Sequence, residues 1–269
     1  VTANEAAWVP KDLDVNLPSA ARVYDYLLGG AHNFAADRAV AEQVLRLLPT
    51  ARQVAIANRS FLRRSVRYLV GQGITQFLDL GSGSPASGNV HEIAQEADPS
   101  SRVLYVDYDD VAVAHSELLL AGNPTATILN ADLTKPGAVL DAPVTGQFLD
   151  FSRPIGLLLV AVLNYAPDDL DPVGIVAAYR DALPAGSYVV LSHLTADHDP
   201  VAMAGVIEVM KQSRDPLYFR SYDDILAMFA GLDLVAPGLV SAPCWRPDPG
   251  VRERGPEGLY AGIGHKPFE

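Results

Sequence analysis

The sequence predicts an α/β fold, a doubly wound and mostly parallel seven-stranded sheet with an antiparallel C-terminal strand and an N-terminal helical cap. Three observations predict it. From residue 75 onward, short apolar runs alternate with helix-length segments, the pattern of parallel strands joined by right-handed crossovers. Near the C-terminus two strand-like runs follow one another with no helix between them, which makes them antiparallel neighbours. The first seventy residues show helical spacing and no strand pattern, so a cap precedes the sheet.

In order along the chain, residues 1–17 are irregular, punctuated by Pro10 and Pro18. A helix begins at Ser19, with Ala21, Val23, Tyr24, Leu27 and Leu28 at helical spacing, and stops at Gly29-Gly30. Helices at 35–48 and 51–70 follow, stopped by Pro49 and by Gly71 and Gly73. Strand one spans 75–80 and its helix 88–97. Strand two spans 102–106 and ends at Asp107, with a helix at 111–120. Strand three, 125–129, ends near Asp132. Strand four, 156–163, precedes a helix at 172–183, and strand five is 187–192. Helices at 201–211 and 222–229 lead to the two final runs, 232–240 and 259–264. The cap is placed at 1–72 and the core at 73–269, expected to form one structural unit.

Composition narrows the function classes. The 269-residue chain is 49% hydrophobic and carries a net charge of -12. A surface this acidic repels phosphate backbones, so no nucleic-acid partner is expected. The basic run from Arg59 to Arg67 reads as the solvated face of an amphipathic helix. Cys244 is the single cysteine, which rules out an intrachain disulfide and a thiolate metal cluster. The longest apolar run, 155–163, is too short to span a bilayer, and no secretory signal is evident, so a cytoplasmic protein is expected.

The densest chemistry lies at FLDLGSGSP, residues 77–85. An apolar strand runs into Asp79 and then a turn whose glycines, Gly81 and Gly83, let backbone approach a ligand closely. Asp79, Asp107 and Asp132 each end one of three successive strands, the edge where open α/β sheets bind ligands. Helix capping competes as an explanation for acids here, at Asp107, Asp109 and Asp110 above all. The turn also fits the G-x-G-x-x-A dinucleotide fingerprint, so an NAD(P)-binding oxidoreductase is a rival. Asp79 beside a pyrophosphate, and Pro85 where an anion-binding N–H is needed, argue against it. His193, Asp197, His198 and Asp199 contain suitable ligand types, but their spacing matches no familiar zinc pattern, so no metal is expected. Ser82, Ser84 and Ser87 stand in no G-x-S-x-G elbow, which removes a serine hydrolase.

The blocks ARVYDYLLGGAHNFAADR (21–38), FLDLGSGSPASGNVHEIAQ (77–95), VLYVDYD (103–109), ADLTKP (131–136), LLLVAVLNYAPDD (157–169) and SYVVLSHLTAD (187–197) together resemble a bacterial S-adenosylmethionine-dependent methyltransferase family formerly filed as a domain of unknown function. The resemblance runs from about residue 18 to the C-terminus. It implies the class I methyltransferase fold and bound S-adenosylmethionine, and it names no substrate. On that basis Asp79 suits the cofactor's ammonium, with Gly81 and Gly83 giving close approach. Asp107 suits the ribose hydroxyls, Tyr108 the adenine face, and Asp132 with the Leu133 backbone the adenine amine. The catalytic residue stays unknown. Asn164 and Tyr165 end strand four, and His193, ending strand five, is the candidate base. The family pattern often has a histidine where Asn164 stands, so no base role carries over there. A small-molecule acceptor is expected, with a non-catalytic S-adenosylmethionine sensor as the alternative. In the cap, Arg22, Tyr24, Tyr26, Asn33 and Asn58 interrupt apolar helices, and Gly29-Gly30 suggests a lid reaching Asn33-Phe34.

Overall fold

Strand β1 (Gln76–Leu80) is buried along its whole length, as a central parallel strand covered on both faces must be. Its side chains alternate. Phe77 joins one apolar layer with Val103 of β2 (Arg102–Asp107) and with Phe61, Leu62 and Leu69 of helix α3 (Ala51–Gly71). Leu78 and Leu80 join the opposite layer with Leu104, Val106 and Leu157. The same period of two sends Asp79 to the α3 side of the sheet.

The computed structural model describes residues 13–85, 88–250 and 255–268. The strand order is β3-β2-β1-β4-β5-β8-β6, with β7 also paired to β8. Strands β3 (Ala126–Asn130), β2, β1, β4 (Gly156–Val160) and β5 (Tyr188–Leu194) are parallel. Strand β8 (Leu259–His265) returns antiparallel to β5 and is flanked by two short antiparallel partners, β6 (Asp233–Leu234) and β7 (Val240–Ser241). The chain reverses its winding between β1 and β4, which opens a crevice at their carboxyl ends.

Helices α4 (Val90–Ala97) and α5 (Asp110–Leu120) follow β1 and β2, while α8 (Pro172–Ala182) follows β4. The cap helices α1 (Ala20–Leu27) and α2 (Ala35–Leu47) pack with α9 (Pro200–Met210) around Val23, Val40, Val44, Val206 and Met210. Helix α3 instead lies on the sheet, sharing the layer that contains Phe77 and the fully buried Trp245. The run of 59–67 is therefore not one solvated face. Arg63 and Arg67 are exposed, but Arg64 donates to the carbonyls of Trp245 and Ala242 at 2.9 and 2.8 Å, and Arg59 turns inward.

Three segments differ from expectation. Strand four ends at Val160 rather than 163, because Ala161 takes a left-handed φ of 53° and residues 163–165 form a 3-10 turn. Between β3 and β4 the chain forms two short helices, α6 (Pro136–Leu140) and α7 (Pro143–Phe148), each started by a proline whose missing N–H costs nothing at that position. The run 232–240 breaks into β6 and β7, since Pro237 between them has no N–H for the ladder. This split makes eight strands from the expected seven. Residues 222–227 form α10 (Tyr222–Ala227), entered through the capping hydroxyl of Ser221. No helix among the described residues is long and apolar enough to cross a membrane.

Candidate active site

Residue pattern and topology converge at the carboxyl ends of β1 and β2. A cleft opens there beneath α1 and α3, with about 1040 Å³ of atom-free space, its open mouth included. Asp79, Gly81, Gly83, Asp107, Tyr108 and Leu133 all line it.

The glycine turn is fixed by its neighbours. The Gly81 N–H donates to the Val106 carbonyl at 2.8 Å, and the Gly83 N–H donates to Asp107 Oδ2 at 2.7 Å. Gly81 has φ of 73°, and a Cβ built there falls 2.1 Å from Val162 Cγ2. Left-handed backbone and lack of room both demand glycine. We predict that Gly81→Ala destabilises the protein by about 2–4 kcal/mol and distorts the cleft. Urea unfolding checks this, and a loss below about 1 kcal/mol would contradict it. Beside the turn, the Ser82 and Ser84 hydroxyls are buried with no hydrogen-bond partner among the described residues.

Two carboxylates are held in low-dielectric surroundings. Asp79 accepts no hydrogen bond from the described residues, and burial pushes its pKa up to about 7, opposed by the nearby Arg59 cation and reinforced by Asp107. Asp107 is pushed up to about 6, again chiefly by burial, although N–H groups of Asp109 and Gly83 donate to it. Arg59 also donates to the Gly88 carbonyl at 3.1 Å. The capping competition among the acids resolves toward Asp109, whose Oδ1 accepts from Val111 and Ala112 at the start of α5. This leaves Asp107 facing the cleft.

Asp132, expected beside the adenine amine, is not among the residues that line the cleft. Its Oδ1 accepts from the Thr134 N–H and hydroxyl and its Oδ2 pairs with Lys135 at 3.2 Å, so the carboxylate folds back on its own loop. Its neighbours Ala131 and Leu133 line the cleft in its place. Tyr108 lines the cleft and is 44% exposed, but the Arg214 guanidinium stands 4.9 Å from its ring centroid and its hydroxyl donates to Asp215.

His193, expected as the candidate base, stands apart from the cleft. It is fully buried and lines neither this cleft nor the cavity beside it. Nδ1 donates to the Leu194 carbonyl at 2.7 Å, which leaves Nε2 to accept from Arg220 Nη1 at 2.8 Å. Burial, and then the adjacent Arg220 charge, outweigh the raising effect of the backbone contacts and lower its pKa to about 4. Asp199 caps α9 and Asp197 accepts from the Tyr222 N–H, and no group of three or more His, Cys, Asp or Glu among the described residues is placed to hold a metal. Tyr165 lines the cleft and a second, apolar cavity, whereas Asn164 lines only the latter.

The cap supplies residues whose role the sequence did not specify. Arg22, 1% exposed, pairs through Nε with Asp37 Oδ2 at 2.9 Å and approaches Asp109 Oδ2 at 3.8 Å. Arg214 donates to Asp109 at 2.8 Å, and Asp215 Oδ2 accepts from the Ala20 N–H at 2.7 Å. Asp25 accepts from the His32 N–H and from Asn33 Nδ2, tying down the loop after α1. The signal available in sequence was polarity within apolar helical stripes, at Arg22 and Asn58.

A five-stranded parallel core, an antiparallel return strand and a ligand crevice at the β1–β4 switch define a class I methyltransferase fold. The sequence profile of the S-adenosyl methyltransferase family matches residues 6–267, so the chain belongs to that family. S-adenosylmethionine is the methyl donor this implies, and the chain is a methyltransferase by family and fold. It is similar to a methyltransferase candidate from Thermobifida fusca YX, 39% identical over 98% of this chain and 100% of that one, with a TM-score of 0.91. A DUF574 family protein from Streptomyces avermitilis MA-4680 is 36% identical over 94% of this chain and 99% of its own, with a TM-score of 0.89. An S-adenosylmethionine-dependent methyltransferase from Methanosarcina mazei shares the fold at 14% identity and a TM-score of 0.50, covering 73% of this chain and 94% of that one. No curated protein matches the chain.

Proposed function

We propose that the chain methylates a small molecule, binding S-adenosylmethionine in the cleft between α1, α3 and the carboxyl ends of β1 and β2. The observation that carries this reading is the pair of buried, cleft-lining carboxylates, Asp79 and Asp107, beside the hydroxyls of Ser82 and Ser84, which have no partner among the described residues. Asp79 accepts the ammonium of the cofactor's amino-acid end, for which its carboxylate has free lone pairs. Gly81 and Gly83 admit that end against backbone, and Ser82 and Ser84 offer donors to its carboxylate. Asp107 takes the ribose hydroxyls with the lone pairs that Gly83 and Asp109 leave free. Leu133 and the open face of Tyr108 flank the adenine.

Bound S-adenosylmethionine supplies a methyl carbon activated by sulfonium. The protein's task is therefore alignment and exclusion of water more than acid or base chemistry. Cap helix α1 walls the cleft with Ala20, Tyr24, Asp25 and Leu28, which favours a small acceptor over a macromolecule. Calorimetry with S-adenosylmethionine, S-adenosylhomocysteine and NAD in parallel tests the assignment. Binding of the first two and not NAD is the expected result, and preference for NAD would overturn it. Binding without turnover of any acceptor in a metabolite extract would favour a sensor instead.

A further inference from the structure

A second cavity adjoins the cleft between α1, α2, the start of α3 and α9, with about 700 Å³ of atom-free space, its open side included. Ala20, Tyr24, Asn58, Ala161 and Tyr165 line both spaces, so the two adjoin at these side chains. Away from that junction the walls are apolar apart from Asn164, from Val44 and Val54 to Met203, Val206 and Phe219. Among the described lining residues there is no Asp, Glu, His, Lys or Arg. A carboxylate, phosphate or persistent ammonium brought here meets no counter-charge and loses its hydration, a heavy penalty. A neutral, largely apolar molecule suits the space.

One polar atom stands out against these walls. Asn164 is fully buried and lines the cavity. Its Nδ2 donates to the Ala161 carbonyl at 3.2 Å, which fixes the orientation of the amide. Its Oδ1 is buried with no donor among the described residues. Ala161, whose carbonyl holds the amide, lines both spaces, so Asn164 stands near the end of the cavity that adjoins the cleft. An unmet buried acceptor is costly and calls for a donor.

We infer that this cavity receives the methyl acceptor, and that the acceptor is a neutral primary or secondary amine on an apolar body, donating its N–H to Asn164 Oδ1. The inference rests on the methyltransferase reading. The amine lone pair forms the new nitrogen–carbon bond as the methyl–sulfur bond breaks, its electron pair staying on sulfur. The surplus proton on nitrogen passes to water as the product leaves. A hydroxyl nucleophile would have to lose its proton during attack, and no Asp, Glu or His stands among the described residues that line both spaces. Burial holds the Tyr24 and Tyr165 phenols protonated, raising both above the ordinary tyrosine value. An amine needs no such base. Its N–H bond to Asn164 strengthens as nitrogen gains positive charge, so the amide favours the transition state over the ground state.

The test uses the full chain with S-adenosylmethionine near pH 9, where alkylamines are partly neutral. Formation of S-adenosylhomocysteine and acceptor binding are followed for hexylamine, octylamine and benzylamine, each beside the alcohol and carboxylic acid of the same skeleton. The expected result is turnover of an amine, roughly tenfold or more faster than its alcohol, with no binding of the acid. Asn164→Leu, similar in volume, lowers amine turnover about tenfold and leaves S-adenosylmethionine affinity within about twofold. Val206→Trp fills the cavity and blocks the amine, with retained cofactor binding as the check on folding, and Met203→Phe serves if that variant does not fold. Preference for an alcohol or acid, equal rates in Asn164→Leu, or no amine binding by protein that binds S-adenosylmethionine would overturn the inference. Failure to bind S-adenosylmethionine at all would overturn the methyltransferase reading, and this inference with it.

Discussion

Asp79→Asn weakens S-adenosylmethionine binding by about a hundredfold, ~3 kcal/mol, because it removes the carboxylate that meets a desolvated ammonium. The size follows from the surroundings. Asp79 is 7% exposed and accepts no hydrogen bond from the described residues, so its interaction with a bound cation is little screened. The same substitution changes the pH dependence. Burial raises the folded-state pKa of Asp79 to about 7 from an ordinary 3.8. A raised carboxylate contributes stability that is complete below about pH 3.8 and is lost as pH rises through about 7. The ligand-free wild type therefore loses stability relative to Asp79→Asn across that window. A bound ammonium favours the charged carboxylate, so affinity for S-adenosylmethionine rises between about pH 5 and pH 7, with proton release on binding. Calorimetry in buffers of different ionisation enthalpy measures that proton directly. Equal affinities for the two proteins at about pH 7, or a flat wild-type profile, would remove Asp79 from the ammonium site.

How far the sequence reached depended on whether a residue's surroundings are local. The strand ends were legible because period-two burial and the following turn are short-range patterns, and they brought Asp79, Gly81, Gly83, Asp107 and Tyr108 to one cleft. Asp132 looked equivalent by position. Its carboxylate is instead taken by Thr134 and Lys135, a turn preference that competes with any ligand. His193 lies one residue before the end of its strand, and Arg220, twenty-seven residues on, comes back to occupy its Nε2. Such a contact leaves no trace in local spacing. Arg59 was hidden for the opposite reason. It sits in a basic run whose average suggests solvent, while its own position faces the sheet. The split of the run at 232–240 was legible in principle, since Pro237 stands inside an otherwise apolar segment.

Removing Arg22 is expected to have the largest effect on stability of any single surface-to-core charge in the cap, about 3–5 kcal/mol for Arg22→Ala. Ordinary solvated pairs contribute far less, and burial makes the difference. The Arg22 side chain is 1% exposed and that of Asp37 0%. Arg22 also donates to the Leu17 carbonyl at 2.5 Å, and its guanidinium lies 5.4 Å from the Phe34 ring centroid. Without it, Asp37 keeps the Ser19 and Phe34 N–H donors but has no cation, so a buried charge is left uncompensated. Asp109 fares better, because Arg214 still donates to it at 2.8 Å. The loss therefore concentrates where α1 meets α2, and α1 forms one wall of the cleft. Arg22→Ala accordingly lowers urea stability and weakens S-adenosylmethionine binding together. Arg22→Lys, which keeps the charge but not the forked geometry, recovers part of each. The double variant Arg22→Met with Asp37→Leu separates charge from packing. With both ions replaced by apolar groups, stability returns to within about 1–2 kcal/mol of wild type if the uncompensated carboxylate is the cause. A double variant no more stable than Arg22→Ala would instead assign the effect to lost packing against Phe34.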